Sequence, residues 1–323
     1  MRYMFDTASP IGGRNMHEKS WIEEFGNGII HSVKWSPEKG PIKGVIQILH
    51  GVTEYIFRYR NFAEYFTSRG FIVCGNDHKG HGTSLSTDGT PMYLGDKGAW
   101  FECVEDIHNL YTKIKAEYPD VPYVMLGFSM GSFMLRTALI QYPDMADAAI
   151  IMGTGHQDPI SLGLAKFMAG QEEKKHGYNK TTAQIDALTF GTYNKKFEPY
   201  VDTKFDWLCA NKEALQEYMN DPYRGDSMTV GLFAEMISGM AFTARFSNIK
   251  KMYKYLPVLF LSGAEDPVGG YGKGVMKAVR AFEKAGIKMV QYKLYPGCRH
   301  DLFHEKCYKD VYKHIYEWIE TVV

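Results

Sequence analysis

Ser129 stands between two glycines in the stretch YVMLGFSMGSFML, residues 123–135. Gly127 and Gly131 complete a GxSxG pattern, which marks a nucleophilic serine when a strand precedes it and a helix follows it. The apolar runs on both sides predict that strand and that helix. Glycine at both positions lets the turn close tightly and leaves the hydroxyl exposed at the helix N-terminus. The pattern therefore predicts a nucleophile, although a small residue in a tight turn would also explain the serine alone.

A serine nucleophile needs a base to take its proton and an acid to orient that base, and in this arrangement the acid precedes the histidine along the chain. Asp266 follows a predicted strand at 256–263, and we prefer it as the acid to a turn-forming role before Pro267. His300 and His304 both lie in YPGCRHDLFHE. We predict His300 as the base, because it is closer to the end of the last predicted strand.

The negative oxygen that forms during attack on an ester needs two backbone N–H donors. The residue after the nucleophile, Met130, supplies the first. We predict Val52 as the second, because it follows His50 and Gly51 at the end of an early strand. The alternative is that this LHG sequence only ends a strand in a turn.

Short apolar runs alternate with longer helical patterns along most of the chain. We predict strands at 44–51, 70–82, 123–127, 148–153 and 256–263, with helices between them and a final strand and helix after residue 272. This alternation predicts an α/β fold, a mostly parallel central sheet flanked by helices on both faces. Ligands bind at the carboxyl ends of the strands in such sheets.

Residues 155–250 break the alternation with polar stretches and amphipathic helical ones, and no clear strand. We interpret them as a helical cap inserted before the strand that carries the predicted acid. The domain prediction is therefore a first part of the core at 1–154, the cap at 155–250 and a second part of the core at 251–323.

Charge and composition exclude several function classes. Thirty-seven basic residues balance thirty-seven acidic ones among 323, so no nucleic-acid partner is expected. Five scattered cysteines suggest neither a disulfide framework nor a zinc site, which favours a cytoplasmic location. No signal sequence or transmembrane segment is predicted, which leaves room only for transient contact with a membrane surface.

His78 and His81 lie in DHKGHGTS, where a third metal ligand of fitting spacing is missing. We expect a loop held by hydrogen bonds and no metal. The glycines have no phosphate-binding spacing, so no nucleotide or other cofactor is expected.

From about residue 28 onward the chain resembles the α/β-hydrolase superfamily, and within it the monoacylglycerol lipase and lysophospholipase group. The resemblance is carried by ILHGVTEYIFRYRNFAEYFTSRGFIVCGNDHKGHGTS, LGFSMGS, FDWLCANKEALQEYMNDP, LFLSGAEDPVG and YPGCRHDLFHE. It implies hydrolysis of a monoacyl lipid ester through an acyl-enzyme on Ser129, beneath a helical cap. Phe128 and Ser132 depart from the histidine and glycine that this group often has there, and should alter the pocket floor and the helix packing.

Other readings remain open at this point. The same triad could serve a short-chain or aromatic carboxylesterase, or a related aminopeptidase. An aminopeptidase needs cap carboxylates to hold an amine, and the candidates, which we interpret as solvated, are Glu172, Glu173, Asp186, Glu198 and Glu235. A catalytically silent binding protein is the third reading. The sequence leaves open the acyl chain length, the head group, the oligomeric state and the role of residues 1–27.

Overall fold

The computed structural model describes residues 16–25, 28–86 and 88–323. Its strands are β1 (Met16–Phe25), β2 (Gly28–Pro37), β3 (Gly44–Leu49), β4 (Phe71–Asn76), β5 (Leu85–Ser86), β6 (Tyr123–Phe128), β7 (Ala148–Met152), β8 (Pro257–Gly263) and β9 (Met289–Tyr295). Its helices are α1 (Arg60–Thr67), α2 (Ala99–Glu117), α3 (Met130–Gln141), α4 (Pro159–His176), α5 (Ala183–Thr189), α6 (Lys212–Asn220), α7 (Val230–Ala244), α8 (Phe246–Ile249), α9 (Lys273–Lys284) and α10 (Tyr308–Val322).

One sheet contains all of these strands, in the order β1-β2-β4-β3-β6-β7-β8-β9, with β5 beside β2. Pairing is parallel from β4 through β9 and antiparallel among β1, β2 and β4. The predicted α/β fold with a mostly parallel sheet is confirmed. Because β3, β6, β7, β8 and β9 run in one direction, the loops that follow them meet at one edge of the sheet.

Helices cover the sheet on both faces, and alternate residues of its strands take part in each apolar layer. On β3, Ile46 and Ile48 belong to the apolar cluster on the face that α1 and α10 cover, whereas Val45 and Leu49 belong to the cluster on the face that α2, α3 and α9 cover. Strands buried on both faces read as continuous apolar runs, which is why the sequence located them.

The hairpin of β1 and β2 was not predicted. The strand β1 carries many charged residues, so it does not show the apolar pattern by which the other strands were predicted. Glu18 of β1 accepts a hydrogen bond from Trp35 Nε1 at 2.6 Å and pairs with Arg60. Phe25 pairs with Gly28, and the two residues between them in the sequence are Gly-Asn, a two-residue hairpin signal that could have revealed the pair. Part of the open question about residues 1–27 falls on 1–15, 26 and 27, which lie outside the described residues.

Between β7 and β8 the chain forms the helices α4 to α8, as the interrupted pattern predicted. Helix α7 is buried and shares one apolar cluster with α2 and α3. The boundaries at residues 154 and 250 stay a prediction. Among the described residues, no helix is both long and apolar enough to cross a membrane.

Candidate active site

Ser129 occupies the turn between β6 and α3 in a strained conformation, with φ 51° and ψ −118°. Its N–H donates to the carbonyl of Met152 on β7 at 3.0 Å. A Cβ on Gly127 would lie 2.4 Å from the Gly131 carbonyl oxygen, and a Cβ on Gly131 would lie 2.0 Å from that of Leu49. Both glycines are therefore required by the close approach of backbone to backbone at this turn.

The structure brings the three predicted catalytic side chains together. Ser129 Oγ lies 2.9 Å from His300 Nε2, and His300 Nδ1 lies 2.9 Å from Asp266 Oδ2. The other carboxylate oxygen of Asp266 accepts the N–H of Val268 at 2.8 Å, and Ser262 Oγ donates to Oδ2. Asp266 and His300 are fully buried, so these contacts, rather than water, hold the carboxylate and the imidazole in place.

Aromatic rings pack around His300. The ring of Phe128 lies 4.8 Å from the imidazole and that of Trp207 lies 5.2 Å from it, measured between centroids. A Cβ on Gly153 would lie within 3.0 Å of both His300 and Phe128. Phe128 thus forms an apolar floor under the histidine, and Ser132 donates from Oγ to the Ser129 carbonyl at 2.6 Å.

Val52 lies in the loop after β3. Val52 and Ser129 line the same small cavity, so the loop lies beside the serine. His50 Nε2 accepts the N–H of His78 at 2.9 Å, so its proton lies on Nδ1, which donates to the Gly51 carbonyl at 2.7 Å. Burial, with the neighbouring His78 and His81, holds the pKa of His50 well below its usual range. A neutral imidazole therefore fixes this loop. Met130 begins α3, where an amide has no acceptor within the helix.

A buried polar network, which the sequence analysis missed, supports the same loop. Glu54 Oε1 accepts the Gly51 N–H at 2.5 Å and the Tyr59 hydroxyl at 2.7 Å. Arg58 pairs with Glu54 at 3.3 Å and with Asp301, next to His300, at 3.4 Å. Glu54 and Arg58 both lie in the stretch that begins ILHGVTEYIFRYR, which was quoted only for the family resemblance. Two opposite charges four positions apart near a predicted site could have suggested a pair.

Burial acts in the same direction on both carboxyl groups of this network, and their neighbours oppose it. Burial opposes ionisation of Asp301, but the contacts with His304 and Arg58 lower its pKa to about 2. Burial raises the pKa of Glu54 despite the opposing effect of Arg58. The alternative base, His304, lies 2.8 Å from Asp301 Oδ2 through Nδ1, so it belongs to this network, and it is His300 that contacts the serine.

Residues of the insertion cover Ser129. The cavity beside it has a volume of only ≈ 20 Å³ and is lined on the side of the insertion by Trp207, Leu208 and Tyr218. This is space for about one water molecule. Two larger cavities, of ≈ 480 Å³ between α4 and α7 and of ≈ 320 Å³ beside α5, are lined by none of the three catalytic candidates.

The covering segment is bonded to the loop that carries His300. The Leu208 carbonyl accepts the N–H of Asp301 at 2.7 Å, and Glu305 Oε1 accepts the N–H groups of Ala210 and Arg299. Because of these hydrogen bonds, a movement of this segment would also move the loop that carries His300.

The five cap carboxylates differ in their surroundings. The interpretation of all five as solvated is wrong for Glu172 and Glu235, which are buried. Glu235 accepts hydrogen bonds from the N–H groups of Gly98 and Trp100 and from Tyr178. Glu173 pairs with Lys97, Asp186 accepts from Ser227, and Glu198 is exposed.

His78 and His81 lie with His50 in a cluster of buried rings. The loop is held by backbone bonds, among them His81 N–H to the His78 carbonyl at 2.9 Å. Within the part of the chain that the structure describes, no group of three or more histidine, cysteine or acidic side chains could hold a metal ion.

Comparisons with known proteins agree with this arrangement. The family model described as serine aminopeptidase, S33, matches residues 40–307. A monoglyceride lipase homolog of Monkeypox virus is 36% identical and covers 91% of this chain and 95% of its own. A monoacylglycerol lipase of Mycolicibacterium smegmatis is 26% identical, over 94% and 96% of the two chains. The crystal structure of a carboxyl esterase from Bacillus coagulans, in complex with glycerol, superposes with a TM-score of 0.87 at 25% identity and covers 95% and 99%.

The match to the family model spans most of the chain and includes the turn of Ser129 and the loops that carry Asp266 and His300. A relative above 30% identity supports it. The chain therefore belongs to the serine aminopeptidase S33 family of α/β hydrolases.

Proposed function

We propose that the protein is a serine ester hydrolase that cleaves monoacyl lipid esters. The observation that carries the proposal is the chain of contacts from Ser129 through His300 to Asp266, at 2.9 Å and 2.9 Å, beneath an apolar cover. The relatives that cover most of the chain support the substrate class, since they are named as a monoacylglycerol lipase and a monoglyceride lipase homolog.

In the proposed mechanism Ser129 Oγ attacks the ester carbonyl while His300 Nε2 takes its proton, and Asp266 stabilises the imidazolium that forms. The N–H groups of Val52 and Met130 hold the negative oxygen. His300 then gives the proton to the leaving alcohol. A water molecule next gives a proton to His300 and attacks the acyl-enzyme, and His300 returns that proton to Ser129 Oγ as the fatty acid is released.

We also propose that residues 155–250 act as a cap that shifts to admit the substrate. A cavity of ≈ 20 Å³ beside Ser129 is too small for an acyl chain. The position that the insertion takes over Ser129 in this structure is therefore one state of the catalytic cycle, and substrate enters in another.

Contact with a lipid surface belongs to the same proposal. Ile160, Leu164 and Phe167 are exposed by 85%, 60% and 63% and lie along one face of α4. Three exposed apolar side chains on one helix face can enter a lipid interface without electrostatic help.

Flotation with neutral phosphatidylcholine vesicles tests this contact. Replacing Ile160, Leu164 and Phe167 together by Gln should abolish co-flotation. The matched control replaces Tyr253 and Tyr255, exposed by 48% and 63% beside β8, and should float as the parent does. Equal flotation of parent and triple variant would refute the surface.

A cytoplasmic location also stays our proposal, and it is supported by the scattered spacing of the five cysteines, which suggests no disulfide framework.

The substrate is tested by comparing hydrolysis of a long-chain monoacylglycerol, a lysophospholipid and a short-chain aryl ester, with Ser129→Ala as control. A preference for one long-chain lipid that the substitution abolishes would support the proposal and name the head group. Activity on the aryl ester alone would assign the protein to the short-chain esterases. Equal rates in parent and variant would remove Ser129 from the mechanism.

Aminopeptidase activity is the second candidate, because the matching family model carries that description. A free amine would need an available carboxylate near Ser129, and buried Glu235 already accepts three hydrogen bonds. Hydrolysis of an aminoacyl arylamide faster than of any ester would favour this candidate instead.

A further inference from the structure

Two of the five cysteines meet at the base of the loop that carries His300. The sulfur atoms of Cys298 and Cys307 are 2.7 Å apart, and nine positions separate the two residues in the chain. Neither the cysteine spacing in the sequence nor the proposed ester hydrolysis accounts for this contact.

The pair stands at the two ends of the loop between β9 and α10. The Cys298 carbonyl accepts the N–H of Glu265, next to Asp266, at 3.0 Å. The Cys307 carbonyl accepts the N–H of Val311 in the first turn of α10 at 3.2 Å. A covalent link here would join the two ends of the loop that carries His300.

We propose that Cys298 and Cys307 form a reversible disulfide that braces this loop under oxidising conditions. The oxidant is a low-molecular-weight disulfide such as oxidised glutathione. The Cys307 thiolate attacks it and releases one glutathione thiolate. The Cys298 sulfur then displaces the second glutathione, which takes up the Cys298 proton, so two protein thiols become one disulfide and one glutathione disulfide becomes two thiols.

The surroundings assign these two roles. Cys307 is half-buried and can be reached by the oxidant, whereas Cys298 is only 6% exposed and is sheltered beside it. Burial raises the pKa of both thiols, so reaction at neutral pH should be slow. Once formed, the link should stabilise the fold, because it closes a loop whose ends are already together in the native state.

The triad geometry coexists with the sulfur contact. Ser129 Oγ and His300 Nε2 stay 2.9 Å apart while the two sulfurs touch. The disulfide therefore acts as a brace on the assembled site, and its formation can be measured without any assay of catalysis.

Peptide mapping of the full chain tests the link directly. Trypsin cleaves after Arg299 and Lys306, so Cys298 and Cys307 fall in separate peptides, 294–299 and 307–309. After incubation with oxidised glutathione, we expect these two peptides as one joined species that dithiothreitol separates. The oxidised protein should unfold at a temperature higher by about 3 °C.

Three variants complete the experiment. Cys307→Ser and Cys298→Ser should each lose both the joined species and the thermal shift. Cys209→Ser is the matched control, since Cys209 also contacts this loop through the His304 carbonyl at 3.3 Å, and it should keep both. A glutathione adduct that persists on Cys307, or five free thiols after the incubation, would overturn the proposal.

Discussion

Ser129 is held in a conformation that a non-glycine residue adopts at a cost of about 1–3 kcal/mol. The surrounding backbone imposes it: the Ser129 N–H is bonded to Met152, and helix α3 starts directly over the end of β3. The strain places the hydroxyl 2.9 Å from His300 Nε2, where proton transfer needs no further movement.

Replacing Gly131 by Ala tests this dependence on backbone contact. The new Cβ would lie 2.0 Å from the Leu49 carbonyl oxygen, and neither group can move away cheaply. We expect a loss of at least about 2 kcal/mol in the free energy of unfolding and a loss of ester hydrolysis. The control is Gly163→Ala in α4, where a Cβ meets no atom within 4 Å and where Ala should stabilise the helix by up to about 1 kcal/mol. Urea unfolding that shows equal effects would contradict this account.

At the level of single residues, the catalytic candidates could be predicted because each of them follows a strand, and apolar runs in the sequence show where strands end. It could not locate Glu54, Arg58 and Asp301 as one network, because their contact depends on how the loop after β3 packs against the loop after β9. It also gave no sign that Cys298 and Cys307 touch, since loop geometry does not follow from spacing.

At the level of elements, one carboxylate ties the insertion to the core. Glu235 on α7 accepts the N–H groups of Gly98 and Trp100 at the start of α2, at 3.1 and 2.8 Å, and the Tyr178 hydroxyl at 2.8 Å. A carboxylate at a helix N-terminus also interacts favourably with the helix dipole. This contact fixes how α7 lies over the core, and the amphipathic pattern that predicted a helix gave no indication of it.

The substitution Glu235→Gln should therefore destabilise the protein by about 2 kcal/mol, because one amide donor would face a buried N–H or hydroxyl group. Glu173→Gln is the matched control: its pair with Lys97 is largely exposed and is worth at most about 1 kcal/mol. Urea unfolding of both variants measures the difference. Equal losses would show that Glu235 is not an anchor.

For the whole molecule, buried neutral histidines tie stability to pH. Burial lowers the pKa values of His50 and His81 and lowers that of His78 to about 3. In the unfolded chain the same groups take up protons below about pH 6.5. Their contribution is therefore fully present above that pH, and it is lost as the pH falls.

Below pH 6.5 the free energy of unfolding should decrease with a slope that approaches about 3 kcal/mol per pH unit for the two protons that His50 and His78 take up on unfolding, with a smaller addition from His81. Replacing His78 by Phe should reduce the slope by about 1.4 kcal/mol per pH unit. Replacing the exposed His17 by Gln should leave the slope as it is. Urea unfolding between pH 8 and pH 5 measures all three, and a parent protein of constant stability over this range would contradict the assignment.

The most direct test of the catalytic account is labelling with a fluorophosphonate, which phosphonylates an activated serine. We predict one adduct, on the tryptic peptide 116–136 that contains Ser129, and none in Ser129→Ala. His300→Ala should slow labelling by roughly 10³-fold, whereas His304→Ala, which alters the neighbouring network, should slow it by less than about tenfold. An adduct on another residue, or a larger effect of His304 than of His300, would contradict the assignment of nucleophile and base.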